Sequence, residues 1–226
     1  MRTSIPLLAV CVVLVATSCS KTDTGTTPSP TSTIPTMSFF VSSRTSATGN
    51  LGGLRGADAL CQSLGAAAGQ GAKTWRAYLS VERDADNGNQ PTNARTRIGT
   101  GPWHNFAGTL VANNVTELHA RTGDAAVFVD ERGQRINGQW PSSPTPVEHD
   151  IMTGSNADGT LLAGATCGDW TSDATTAIAQ VGHSDGLGAA GSTTPPAPSW
   201  NSAHTNQNCS NTAPRGGAGR IYCFAR

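Results

Sequence analysis

Small and apolar residues recur at Leu54, Ala57, Leu60, Cys61 and Leu64, the spacing of one helix face. From Trp75 the period changes: Trp75, Ala77 and Leu79 alternate with Arg76, Tyr78 and Ser80. The two patterns predict a helix packed on a strand, joined by a loop of Gly and Ala. Asp58 is placed in the helix's first turn, where a carboxylate suits the positive end, and Gly65 reads as its stop. Cys61 would then sit on the apolar face of that helix.

Shorter patterns follow along the chain. Met37 to Val41 reads as a first strand, Thr109 to Ala112 as another, and Val115 to His119 as one helical turn capped by Asn113 or Asn114. Ala125 to Val129 (AAVFV) is the clearest strand and Asp130 to Gly133 the clearest hairpin turn. Asp173 to Val181 is the one stretch of this half that suits a helix, with Asp173 as its cap, although its Thr, Ile and Val weaken it. Arg220 to Ala225 closes the chain as a strand carrying Cys223. Glu82 to Arg97 is a polar excursion, and Ser184 to Ser199 a low-complexity loop. The fold class expected is α+β, with short antiparallel strands, one or two helices and long loops.

The N-terminal pattern is different. Ile5 to Val15 is an apolar run behind Arg2, too short to span a bilayer at about 20 residues and suited to a signal peptide. Ala16-Thr17-Ser18-Cys19 follows, and it resembles the lipobox of bacterial lipoproteins, which implies lipidation of Cys19. Lys21 to Thr36 is almost entirely Thr, Ser, Pro and Gly and cannot bury a core, so it reads as a tether. The expected organisation is a signal peptide over 1–18, a tether over 19–36 and one domain over 37–226. The chain is expected to be exported and held through its lipid at the outer membrane or cell surface.

Composition narrows the function. A formal net charge of +0 with 13% charged residues argues against a nucleic-acid partner, which selects for a basic stripe. Of six cysteines, Cys11 lies in the apolar leader and Cys19 in the lipobox, leaving Cys61, Cys167, Cys209 and Cys223. An even number in an exported domain reads as two disulfides, with three pairings open. A four-thiolate zinc site would need Cys-x-x-Cys pairs, and none occurs.

Other polar clusters carry little chemistry by sequence. Asp84 and Asp86 begin a stretch like a calcium loop, but Gly and Glu do not fall where an EF-hand needs them, so a polar surface turn is expected, with Asp84 and Asp86 as weak cation candidates. Glu148-His149-Asp150 reads as a solvent-facing loop after two prolines, and His104, His119, His183 and His204 are scattered singly. Among the tryptophans, Trp75 and Trp170 are expected in the core, and Trp103 and Trp140 to be the exposed pair.

Four segments in order, LRGADALCQ (54–62), WRAYLS (75–80), GSNADGTLLAGATCGDWTS (154–172) and IYCFA (221–225), resemble the endostatin domain of collagens XV and XVIII and the bacterial endostatin-like lipoprotein domains of C-type-lectin-like fold. The resemblance implies that fold and a nested pairing, Cys61 with Cys223 and Cys167 with Cys209. Sugar-binding C-type lectins hold calcium partly through Trp-Asn-Asp. Here Trp200-Asn201-Ser202 lacks the Asp, so no calcium or other cofactor is expected. Trp103, Trp140, Trp200 and Asn201 remain as weak ligand-binding candidates. The function expected is non-catalytic binding of an extracellular glycan or protein. The alternatives are an enzyme of the formylglycine-generating type, which needs reactive cysteines, and a structural envelope lipoprotein.

Overall fold

The computed structural model describes residues 36–226, which form one unit. The readings of the leader, of Cys11 and Cys19 and of most of the tether lie outside the described residues. Among the described residues no helix is long and apolar enough to cross a membrane.

In chain order the elements are β1 (Phe39–Val41), α1 (Gly53–Ala67), β2 (Trp75–Ala77), β3 (Val81–Asp84), β4 (Gln90–Thr92), α2 (Ala94–Arg97), β5 (Trp103–His104), β6 (Leu110–Ala112), α3 (Val115–Ala120), β7 (Asp150–Met152), β8 (Gln180–His183), β9 (His204–Thr205) and β10 (Gly217–Ala225). The result is a mixed α+β fold of short strands and few helices. One sheet runs β1-β10-β7-β8-β9, with β2 also on β10, and β3-β4 and β5-β6 are separate hairpins. β1 and β2 pair antiparallel with the same stretch of β10 from its two edges, Phe39 opposite Phe224 and Ala77 opposite Cys223. The β7–β10 pair is parallel.

Alternation along β10 divides the core. Ile221 and Cys223 face a cluster with Phe40, Trp75, Leu79 and Trp170 under α1, while Tyr222 and Phe224 face Phe39, Tyr78, Trp103, Phe128 and Trp200. Both faces of the sheet are therefore covered. Two disulfides, Cys61–Cys223 and Cys167–Cys209, tie α1 to β10 and the 167–170 turn to the segment before β10. This is the pairing the resemblance implied. Cys167, Gly168, Asp169 and Trp170 all take left-handed backbone angles, a costly run that the disulfide, the Thr166 side chain and the buried Trp170 Nε1–Ser80 O bond of 2.9 Å hold in place.

Several local readings are corrected. α1 begins at Gly53, so Asp58 lies beyond its first turn; its carboxylate instead accepts from Ala77 N (2.9 Å) and pairs with Arg97 at 2.8 Å, fastening helix to strand. Gly65 does not stop the helix but lies inside it, because a Cβ there would come within 2.3 Å of Trp75 Nε1. Ala125 to Val129 is no ladder strand: Val127 N and Phe128 N both turn back to Asp124 O while Phe128 fills the core. The expected helix at 173–181 is absent, and its apolar end enters β8. Asn114 does cap α3, accepting from Glu117 N at 2.9 Å.

Candidate metal centre

β7 and β8 are antiparallel neighbours with Asp150 directly opposite His183, and β9 pairs alongside β8 with His204 opposite Val181. Their register brings together groups that are distant in sequence, and His149 joins them from the residue before β7. His149, Asp150 and His183 are each at least 95% buried. The solvent-facing loop expected at 148–150 is thus overturned. Glu148 pairs with Arg220, and the next two side chains turn inward because the strand that carries them lies between β10 and β8.

The hydrogen bonds fix which ring nitrogens are free. His149 Nδ1 lies 2.7 Å from Asp185 Oδ1, and His183 Nδ1 lies 2.8 Å from the carbonyl of Ala197. Both partners are acceptors, so each Nδ1 carries the proton and, in the neutral ring, each Nε2 offers a lone pair. Burial, the largest influence, pushes the His183 pKa down and keeps that ring neutral. His149 Nε2 and His183 Nε2 each stand 3.4 Å from Asp150 Oδ1. At that separation neither is a charge-assisted hydrogen bond, which would be about 2.7–2.9 Å. Neither Asp150 oxygen makes a hydrogen bond of good geometry, and His204 Nε2, 3.4 Å from Oδ2, is a donor within reach when protonated.

An ionised carboxylate facing two imidazole lone pairs in a buried site is an arrangement of acceptors, and it is costly unless a cation completes it. Ligand atoms at about 2.0–2.1 Å on the corners of a tetrahedron around zinc lie about 3.4 Å apart. The two edges from Asp150 Oδ1 to the imidazoles have that spacing, and the three ligand atoms lie within 4.8 Å of one another. The donor set, two imidazoles and one carboxylate, suits a borderline divalent transition ion, whereas calcium needs six to eight oxygens.

The surroundings fit the same role. Asp185 orients His149 as a carboxylate–histidine pair. Burial pushes Asp185 up, but donation from His149 and from the backbone N–H of Gln139 (2.6 Å) and Leu187 (3.0 Å) outweighs it and holds the carboxyl below its usual range. His204 Nε2 lies 3.4 Å from Asp150 Oδ2, and its Nδ1 faces the carbonyl of Thr205 at 2.9 Å. The Asp150 carboxylate raises the His204 pKa. Protonated, His204 would steady the second carboxylate oxygen; neutral and turned slightly, it would add a fourth ligand.

No protein-family model matches this chain, and no curated protein matches it. The centre rests on its own geometry.

The residues singled out from sequence lie elsewhere. Trp103 and Trp200 are buried, Trp103 edge-on to Phe224 at 5.3 Å, so the expected exposure of Trp103 is corrected. Trp140 is half-buried, donating to Ile136 O. Asn201 is buried with its amide donating to Tyr78 Oη and to the carbonyls of Asn156 and Ala157, an internal brace. Asp84 caps a short turn by accepting from Asp86 N, and Asp86 pairs with Arg55 at 2.5 Å. The residues of the centre were missed because His149-Asp150, His183 and His204 share no motif spacing. The one local signal was a His-Asp pair heading an apolar strand.

His149, His183 and His204 line a pocket of about 630 Å³. Its other polar lining side chains are Gln139, Ser192, Thr194 and Arg215. None of these four accepts a proton at neutral pH, so a general base in this lining would have to be a histidine such as His204.

Proposed function

We propose that this protein is an exported, lipid-anchored binding protein whose C-type-lectin-like, endostatin-like domain uses a divalent transition-metal ion of the zinc class as its binding centre. His149, Asp150 and His183 would hold the ion, Asp185 orients His149, and His149 and His183 line the pocket. The observation that carries this reading is the Asp150 carboxylate, without a hydrogen bond of good geometry, at 3.4 Å from two imidazole Nε2 atoms. The ion would attract and orient a ligand atom. The pairing of all four described cysteines supports export and leaves no described thiol for chemistry of the formylglycine-generating type.

The test is metal stoichiometry. The protein is produced in an oxidising compartment, stripped with a chelator and titrated calorimetrically with zinc. One ion per chain is expected for the wild type and none for Asp150→Asn. Equal uptake by both proteins sinks the proposal.

A further inference from the structure

We infer that the ligand of this centre is a carboxylate on a short aliphatic body, bound by the metal at one oxygen and by Arg215 at the other; this rests on the metal reading above. Arg215 lines the same pocket as the three histidines. Among the described residues it has no carboxylate within ion-pair distance, and its one polar contact is a long 3.4 Å approach to the Thr205 carbonyl.

The backbone of Arg215 is held at φ +67 between Pro214 and Gly216, an angle non-glycine residues rarely take. Such strain collects at ligand clamps, where it fixes the direction of a side chain. Arg215 is exposed, and an unpaired guanidinium in the lining of this pocket selects an anion over a cation, its planar fork suiting a planar carboxylate. The remaining wall is mixed: Ala189, Pro196, Ala197 and Ala203 present small apolar surface that would take a short aliphatic body, beside Gln139, Ser192 and Thr194.

The full chain is loaded with cobalt(II), whose visible spectrum reports changes in coordination, and titrated with butyrate, its neutral amide butyramide, and N-acetylalanine. Butyrate should perturb the spectrum and bind, butyramide should do neither, and Arg215→Gln should weaken butyrate about tenfold while taking up metal as the wild type does. Stronger binding of N-acetylalanine than of butyrate would assign the carboxylate to a peptide C-terminus, and the reverse to a free acid; both support the inference. Failure of the wild type to take up cobalt or zinc overturns the metal reading and this inference with it. Metal uptake with a spectrum silent to both acids, equal binding of butyramide, or indifference to Arg215→Gln overturns this inference alone.

Discussion

The imidazole rings of His149 and His183 lie face to face, centroids 4.5 Å apart and planes within 4° of parallel. Each Nε2 stands 3.4 Å from Asp150 Oδ1, and because the lone pairs of parallel rings lie in parallel planes, an ion shared by both would tilt one ring out of the stack.

Zinc should stabilise the fold through mass action alone. At one hundred times its dissociation constant a ligand adds about 2.7 kcal/mol. For a domain of this size that is a rise in Tm of roughly 5–10 °C. Thermal unfolding followed by circular dichroism, with zinc and then with excess EDTA, measures it; superimposable curves would count against the site.

Asp150→Asn should act in opposite directions on the two forms. It removes a metal ligand, so the zinc-dependent rise in Tm should vanish. It also replaces a buried charge without a good hydrogen bond by an amide able to donate to a histidine Nε2, so the metal-free protein should melt higher than metal-free wild type. A metal-free Asp150→Asn protein less stable than wild type would mean that the carboxylate has a partner other than a metal.

Asp185→Asn should leave the fold intact and weaken zinc about 10–100-fold, the usual effect of losing the group that orients a ligating histidine. Competition with a chromogenic chelator gives the affinity, and near-ultraviolet circular dichroism checks the packing. A change in packing with unaltered zinc affinity would make Asp185 a purely structural residue.

The two disulfides differ in the chain they close, with sequence separations of 162 and 42 residues. The chain-entropy account gives about 5 kcal/mol for Cys61–Cys223 and about 4 kcal/mol for Cys167–Cys209. Paired serine substitutions at 61 and 223 should therefore lower the urea midpoint more than those at 167 and 209. The reverse order would place the dominant contribution in the left-handed turn at Cys167–Trp170.

Periodicity was informative where an element meets the core along one face. α1, β1, β2, β6, α3 and β10 all emerge near the places their patterns predict. It failed where burial does not require a ladder: AAVFV has the composition of a strand, yet it buries Phe128 from a turn fixed by Asp124. Gly65 resembles a stop signal and is instead the gap that admits Trp75, which depends on a neighbour from another element. The metal centre was the least legible part. Each ligand is unremarkable in its own segment, and only the register of β7 on β8 turns Asp150 toward His183.

The antiparallel pairing of β1 with β10 has a consequence for how such a domain can be used. Phe39 opposes Phe224, and Ala225 N donates to Ser38 O at 2.8 Å, so the first and last strands run side by side. Neighbouring strands are spaced by about 4.8 Å. A few flexible residues would suffice to fuse these ends, and the domain could be circularly permuted with new ends at the exposed Ser142, or spliced whole into a surface loop of a host protein. The fold is in that sense a detachable cassette, one that would carry its metal ligands with it into whatever chain received it.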